Sequence, residues 1–246
     1  MRPDERFSTL VRPGDNAAPA ETSGTSDVAT RALLGESRWP PVATILVFLV
    51  LNVGLRIWLP SEAAIRLPWL LPAIEAVLLL VLTLTDPSGP TERQRLRRLA
   101  LVLVGLLVAA ALWATVLLVD ELIRGTGVSN SPSELLASGA VVWLGNNLAF
   151  ALLYWLIDGG GPRHRSRQPD PVDFAFTQHM SPELAAPGWR PVFLDYLHLG
   201  FTNATAFSPT DVMPLTHRAK YTMLVQSTLA LALFGLVVAR AVNAFA

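Results

Sequence analysis

The chain has 246 residues, of which 52% are hydrophobic and only 15% charged, and its formal net charge is zero. So little charge excludes an ordinary soluble domain, which would expose more of it. The absence of cysteine excludes disulfides, thiolate metal sites and cysteine nucleophiles. Apart from Lys220, the basic residues are arginines, which is typical of a high-GC bacterial genome. The composition therefore predicts a bacterial all-α integral membrane protein.

Residues 1–38 are rich in Pro, Ala, Ser, Thr and Gly and have no sustained apolar period. Such a segment cannot bury enough apolar surface to order itself, so we expect a disordered N-terminal tail. The first apolar run starts only near Pro41 and is not followed by a small-residue cleavage site. A signal peptide is therefore not expected.

Three apolar runs follow the tail, and each is long enough to cross a hydrocarbon core of about 30 Å. Trp39 and Trp58 bracket the first run at the depths that indole rings prefer. An arginine-rich linker separates the second run from the third, an uninterrupted Leu/Val/Ala segment that we expect to end at Asp120 and Glu121. Three spans are thus predicted within residues 39–132: 41–59, 67–85 and 99–119.

A second group of elements is predicted within residues 133–246. The segment Ser131-Pro132-Ser133-Glu134 has the pattern of a helix start, with a cap, a proline and an acid. After the next span and a loop of little regular structure comes a half-apolar run with a polar turn, too short to cross a bilayer. Irregular backbone at membrane depth must be covered by protein or line a water-filled cavity, which predicts a re-entrant half-helix and hairpin. The expected order is span 135–157, loop 158–188, re-entrant segment 191–210 and span 221–246, giving five transmembrane helices in all.

The arginines predict the orientation, because basic residues concentrate in cytoplasmic segments. They cluster in the tail, in 93–98 and in 163–190, whereas the loops on the other side hold only Arg66 and Arg124. The expected location is therefore a bacterial inner membrane, multi-pass, with a cytoplasmic N-terminus. By the same rule the re-entrant hairpin enters from the cytoplasmic face.

Several residues of the last third resemble the pore unit of two-span potassium channels. They are the pattern Tyr196-x-x-x-x-Phe201-Thr202-x-x-Thr205, then Asp211-Val212-x-Pro214-x-Thr216, and a final helix that closes on Val238-Ala239-Arg240. The resemblance implies an outer helix at 135–157, a pore helix at 191–204 and an inner helix at 221–246. It also implies a homo-oligomer, a tetramer if the assembly is channel-like. The region is similar as well to an uncharacterised actinobacterial family of polytopic membrane proteins that shares the run 201–215.

The chain departs from the channel pattern at the selectivity filter. The positions of the T-V-G-Y-G motif hold Ala206-Phe207-Ser208-Pro209-Thr210. A potassium filter needs successive carbonyls turned toward the axis, which glycine allows and Pro209 opposes. The channel resemblance also places the loop before the pore helix outside, opposite to the arginine distribution, which we follow for orientation. The sequence predicts an ion-channel-like pore module that is weakly selective or non-conducting.

Polar residues around the hairpin are candidates for lining a pore or binding a small solute. Their side-chain oxygens could equally bond to the backbone of the hairpin, as they do in turns and caps. Asp211 is also expected to pin its own loop. The pore or ligand candidates are Thr202, Asn203, Thr205, Ser208, Thr210 and Asp211.

Three ionisable residues are predicted to lie at membrane depth, where such groups are functional candidates by default. Asp195 and His198 share one helix face and either form a proton-relay or cation-binding pair or lie in water at the interface. Glu75 either faces a polar cavity or is protonated or paired with an arginine such as Arg240. Asn146 and Asn147 are expected to hydrogen-bond between helices.

Two further functions compete with the pore module, a non-conducting membrane scaffold or interaction protein and a proton-coupled small-solute transporter. The sequence has no Walker loop, dinucleotide fingerprint or nucleophile elbow, and its histidines lack metal-ligand spacing. Neither an enzyme nor a cofactor is therefore expected. The basic clusters suit anionic lipid better than nucleic acid, so the lipid bilayer is the expected partner, and the small ion or solute stays unidentified.

Overall fold

A computed structural model of the chain describes residues 39–58, 70–84, 90–124, 132–165, 172–206 and 211–245. The predicted disordered tail, 1–38, lies outside these residues. The described part is mostly helical, with six helices that make up the bundle. They are α1 (Trp39–Trp58), α2 (Leu70–Leu84), α3 (Pro90–Arg124), α4 (Pro132–Ile157), α7 (Phe193–Ala206) and α8 (His217–Phe245).

Each predicted span falls on one of these helices, although the ends differ. The largest difference is in α3, which extends beyond the predicted span 99–119 at both ends. The prediction that Asp120 and Glu121 end it is wrong, because the helix continues to Arg124, whose Nε donates to Asp120 Oδ1 at 2.8 Å one turn away. By contrast, α4 begins at Pro132, as the capping pattern predicted.

Three helical segments in the described part are long and apolar enough to cross a membrane. They are Gln94–Arg124, Ser133–Gly160 and His217–Arg240, and two shorter apolar helices accompany them at Trp39–Leu55 and Pro72–Val81. This pattern is compatible with a membrane protein.

Helix α4 is the centre of the bundle, since it packs against α1, α3, α7 and α8. Nearly all residues in its second half are buried, among them Ala149, Phe150 and Leu152. The largest apolar cluster joins Leu152 to Phe48 of α1 and Leu107 of α3. A helix that is apolar all round must be enclosed by other helices or lipid, which explains why the chain folds around α4.

The loop after α4 has more regular structure than predicted. It contains the short helices α5 (Pro162–Arg165) and α6 (Thr177–Met180) and the strand β1 (Phe174–Phe176). This strand pairs antiparallel with β2 (Val212–Pro214), so the fold is not purely α-helical. The residues of β1 are all buried, because the aromatic rings of Phe174 and Phe176 pack against Tyr154 and Tyr196.

Candidate functional site

Helix α7 runs antiparallel to α4 and covers only part of its length. At the start of α7 the ring centroids of Phe193 and Trp155 are 6.0 Å apart. Toward its end the ring centroids of Phe201 and Trp143 are 5.6 Å apart. Between them Gly200 faces Ala151 so closely that an added Cβ would lie 3.4 Å from the alanine Cβ. With 14 residues, α7 is about 21 Å long.

Helix α8 starts at the same end of α4 as α7 and also runs antiparallel to it. Near its start Arg218 bonds to Asp173, next to the carboxyl end of α4, and farther along Val237 contacts Gly139. The chain between the two helices therefore returns to the end from which α7 started. There the backbone carbonyl of Asp211 accepts the Thr177 N–H at 3.1 Å.

Two buried carboxylates hold together the elements at the carboxyl end of α4. We call these carboxylates and their partners the carboxylate cluster. Asp158 Oδ1 accepts the backbone N–H groups of Asp173 and Phe174, and its Oδ2 accepts the Tyr196 hydroxyl at 2.5 Å. Arg165 adds a bond to the Asp158 carbonyl at 2.6 Å, and its guanidinium lies over the Tyr196 ring. The members are Asp158, Arg165, Asp173, Tyr196, Thr216 and Arg218.

Asp173 is the second carboxylate, and its side chain is fully buried. Oδ1 accepts Thr216 Oγ1 and Arg218 Nε, and Oδ2 accepts the Gly159 N–H and a second Arg218 nitrogen. Burial alone would raise the pKa of Asp173, but the hydrogen bonds from Arg218, Thr216 and Gly159 outweigh it and lower the pKa below its usual 3.8. Asp173 is thus held as a carboxylate that joins α4 to the start of α8.

The glycine run after Asp158 makes this arrangement possible. Gly159, Gly160 and Gly161 have φ angles of 51°, 79° and 98°. Residues with side chains rarely adopt such angles, so the tight turn that presents the Gly159 N–H to Asp173 depends on glycine.

A second buried polar group, the amide cluster, joins α4, α7 and α8 inside the bundle. Asn203 of α7 donates to the Met223 carbonyl at 3.0 Å and to Gln226 Oε1 at 2.7 Å. Gln226 also accepts the Tyr154 hydroxyl at 2.6 Å and donates to the Gly200 carbonyl. The members are Asn147, Tyr154, Asn203, Gln226 and Ser227. The alternative in which Asn203 lines a pore has no support among the described residues, because Asn203 is 2% exposed and its amide bonds to groups of α8.

The remaining polar residues of α7 lie along the side that the described residues leave at least partly exposed, here called its uncovered side, and we call this row the polar stripe. It consists of Asp195, His198, Thr202 and Thr205, spaced by three, four and three residues and half-buried or exposed. The two threonine hydroxyls bond to carbonyls of their own helix, at His198 and Phe201. The candidates Ser208 and Thr210 lie outside the described residues.

Of the two alternatives for Asp195 and His198, a direct pair is not seen in the described structure, because the two side chains have different partners. Asp195 Oδ2 accepts the Val192 N–H at 2.7 Å, which caps the start of α7. His198 Nε2 lies 3.1 Å from Asp211 Oδ2 and so links α7 to the chain that precedes β2. Asp211 thus contacts a residue of α7, whereas the prediction that it pins its own loop concerns residues 207–210, which lie outside the described residues.

Glu75 is buried in α2, with 1% of its surface exposed. Its Oε1 has no hydrogen-bond partner, and no ion pair to it is found among the described residues. The predicted partner Arg240 therefore does not pair with it. Asn146 does bond between helices as predicted, since its amide donates to Thr115 Oγ1 at 2.7 Å.

Sequence reasoning missed the carboxylate cluster and three of the five members of the amide cluster, Tyr154, Gln226 and Ser227. Asp158 and Asp173 were treated as loop residues, although a carboxylate at the end of a span followed by Gly159-Gly160-Gly161 is a detectable signal of a built turn. Gln226, an amide within an apolar helix, was a comparable signal. In the described residues no group of three potential metal ligands is found. No protein-family model, curated protein or solved structure matches the chain.

Proposed function

We propose that the chain is a bacterial inner-membrane protein with five spans, formed by α1, α2, α3, α4 and α8, and a cytoplasmic N-terminus. The three long apolar segments support spans at α3, α4 and α8. Helix α1, with 20 residues, is long enough for about 30 Å. Helix α2 has 15, so its span needs the flanking residues within 67–85. The run 201–215 is the basis for placing the chain in the uncharacterised actinobacterial family.

Helix α7 is proposed as a re-entrant half-helix. Its length of about 21 Å is less than a bilayer core requires. Both α7 and α8 start beside the carboxylate cluster, so the intervening chain enters and leaves on one side, which the arginine distribution makes cytoplasmic. With this orientation the C-terminal end of α8 lies outside.

The function proposed for this module is a weakly selective ion pore shared by several copies of the chain. The polar stripe is the observation that carries it: Asp195, His198, Thr202 and Thr205 lie on the side of α7 that the described residues leave partly exposed. Ionisable side chains at membrane depth do not face acyl chains, so they need a water-filled axis or another copy. In a channel-like assembly four stripes surround one axis.

Weak selectivity follows from the filter segment. Ala206 is the last residue of α7, and the remaining filter positions, 207–210, lie outside the described residues. With Pro209 there and no glycine in the segment, a ladder of axial carbonyls that selects potassium is not expected.

Flux through proteoliposomes tests the proposal. Purified wild-type protein should carry K⁺ and Na⁺ at similar rates, and replacing Thr202 and Thr205 with valine should change the rate several-fold. Valine keeps the side-chain shape, and Thr222→Val on α8, whose hydroxyl also bonds to its own helix, is the matched control. Strong K⁺ preference contradicts the filter argument, and absence of flux contradicts the pore.

The second candidate is a non-conducting scaffold. It is favoured by the threonine hydroxyls, which bond to α7 carbonyls and so need no water. Because the chain lacks cysteine, Thr202→Cys and Thr205→Cys can be labelled without background. Rapid reaction with a charged, membrane-impermeant thiol reagent is expected for a water-filled pore, whereas protection of both sites supports the scaffold.

A further inference from the structure

Glu75 combines deep burial with a carboxylate oxygen that nothing in the described structure contacts through a hydrogen bond. The two buried acids of the carboxylate cluster differ from it, because Asp158 and Asp173 accept hydrogen bonds from backbone N–H groups, hydroxyls and Arg218. An ionised carboxylate without donors or counter-charge in an apolar setting is strongly disfavoured, so such a group takes up a proton. Among the described residues, Glu75 has no donor at Oε1 and no ion pair.

The position of Glu75 in α2 explains its burial. Pro72, Glu75 and Leu79 form the buried side of the helix, while residues between them such as Ile74 and Val77 are exposed. Leu79, one turn beyond Glu75, belongs to the apolar cluster with Phe48 of α1. Glu75 therefore points into the contact between α2 and its neighbours, where the described buried residues of α2 form a narrow row with the partly buried Leu78 beside it.

No described side chain of the helices packed against α2 forms an ion pair with Glu75. On α1 the sole titratable residue is Arg56, whose side chain lies outside the description. On α3 the arginines near the start whose side chains are described are exposed. The charged residues at the far end of α3 are Asp120, Glu121 and Arg124. Among the described residues none of these forms an ion pair with Glu75. The exposed arginines of α3 are Arg95, Arg97 and Arg98.

We infer that Glu75 is a proton-binding site of the N-terminal helices, occupied at neutral pH and in exchange with water when α2 moves. The narrow buried row makes exchange feasible, because separating α2 by one side-chain layer exposes the carboxyl. This site is separate from the polar stripe, which lies on α7. The proton would leave Glu75 only when water or a cation reaches the carboxyl group.

Infrared difference spectroscopy of the full chain in lipid tests the inference. At pH 7 the wild type minus Glu75→Gln spectrum should show the carbonyl stretch of a protonated carboxyl, and the band should shift in D2O without unfolding. Glutamine is nearly isosteric with the neutral acid, so the variant should keep its melting temperature. Glu183→Gln, which replaces an exposed acid, should remove a carboxylate band instead.

Either of two results would overturn the inference. A carboxylate band that disappears in Glu75→Gln at pH 7 means that Glu75 is ionised. A protonated band that does not shift in D2O over hours in the folded protein means that the proton is trapped and the site is closed. Neither result depends on whether the protein conducts ions, so the pore proposal is tested separately.

Discussion

The two sides of α7 carry similar polar side chains but use them differently. On the buried side Tyr196 and Asn203 bond to groups on other elements, at Asp158 and Gln226. On the uncovered side the hydroxyls of Thr202 and Thr205 bond to carbonyls of α7 itself. A polar residue that bonds across elements fixes the tertiary structure, whereas one that bonds to its own turn leaves that surface available for water or a second copy.

The largest effect that this comparison predicts is at the carboxylate cluster. Asp173→Ala should lower the free energy of unfolding by about 1.5–3 kcal/mol, because the Gly159 N–H and the Thr216 hydroxyl lose a charged acceptor while the half-exposed Arg218 can be solvated. Unfolding by SDS titration in mixed micelles measures the change. Glu183→Ala, at an exposed acid, is the control and should change stability little. Equal effects of the two substitutions would show that the cluster does not hold the bundle together.

The same residue predicts an acid dependence of stability. The pKa of Asp173 is lower in the folded protein than its usual 3.8, so its stabilising contribution is fully present above that value and is lost as the pH falls through the folded pKa. Wild type should therefore destabilise below about pH 3.8 more steeply than Asp173→Asn, which has no such proton to bind. The melting temperature of both proteins is measured from pH 6 down to the acid limit of the detergent, and the slopes of melting temperature against pH are compared. Parallel curves would contradict the prediction.

A smaller effect is predicted for the amide cluster, and it compares the two sides of α7 directly. Asn203→Ala should lower the free energy of unfolding by about 1–2 kcal/mol, because Gln226 and Ser227 lose hydrogen-bond partners inside the bundle. Thr205→Ala, two residues away on the uncovered side, should change stability by less than about 0.5 kcal/mol. Both values come from the SDS titration used above. A larger cost for Thr205 than for Asn203 would reverse the assignment of the two sides.

The local patterns in the chain were sufficient for much of the helical part. Apolar runs predicted helices near the observed places, and the pattern at Pro132 predicted the start of α4, because capping depends only on adjacent residues. The end of α3 was missed, since a helix can continue past acidic residues when Arg124 pairs with Asp120 one turn earlier. The folded loop with β1 was missed because its strands pair across distant parts of the chain.

The candidate residues show the same limit. Sequence spacing placed Asp195 and His198 on one side of a helix, but spacing could not reveal that Asp195 caps the backbone at Val192 or that His198 faces Asp211. Likewise, the sequence alone could not show that Asn203 is buried while Thr202 and Thr205 lie on the uncovered side, because the packing of α4 and α8 decides which side of α7 is covered.

By itself the sequence determined that this chain is apolar, mostly helical and divided into segments of bilayer length, because hydrophobicity and helix propensity are properties of neighbouring residues. Only the tertiary structure decided which polar groups are satisfied. Asp158 bonds to Tyr196, Asn203 bonds to Gln226, and Glu75 Oε1 has no donor among the described residues. Each outcome depends on helices that approach from elsewhere in the chain.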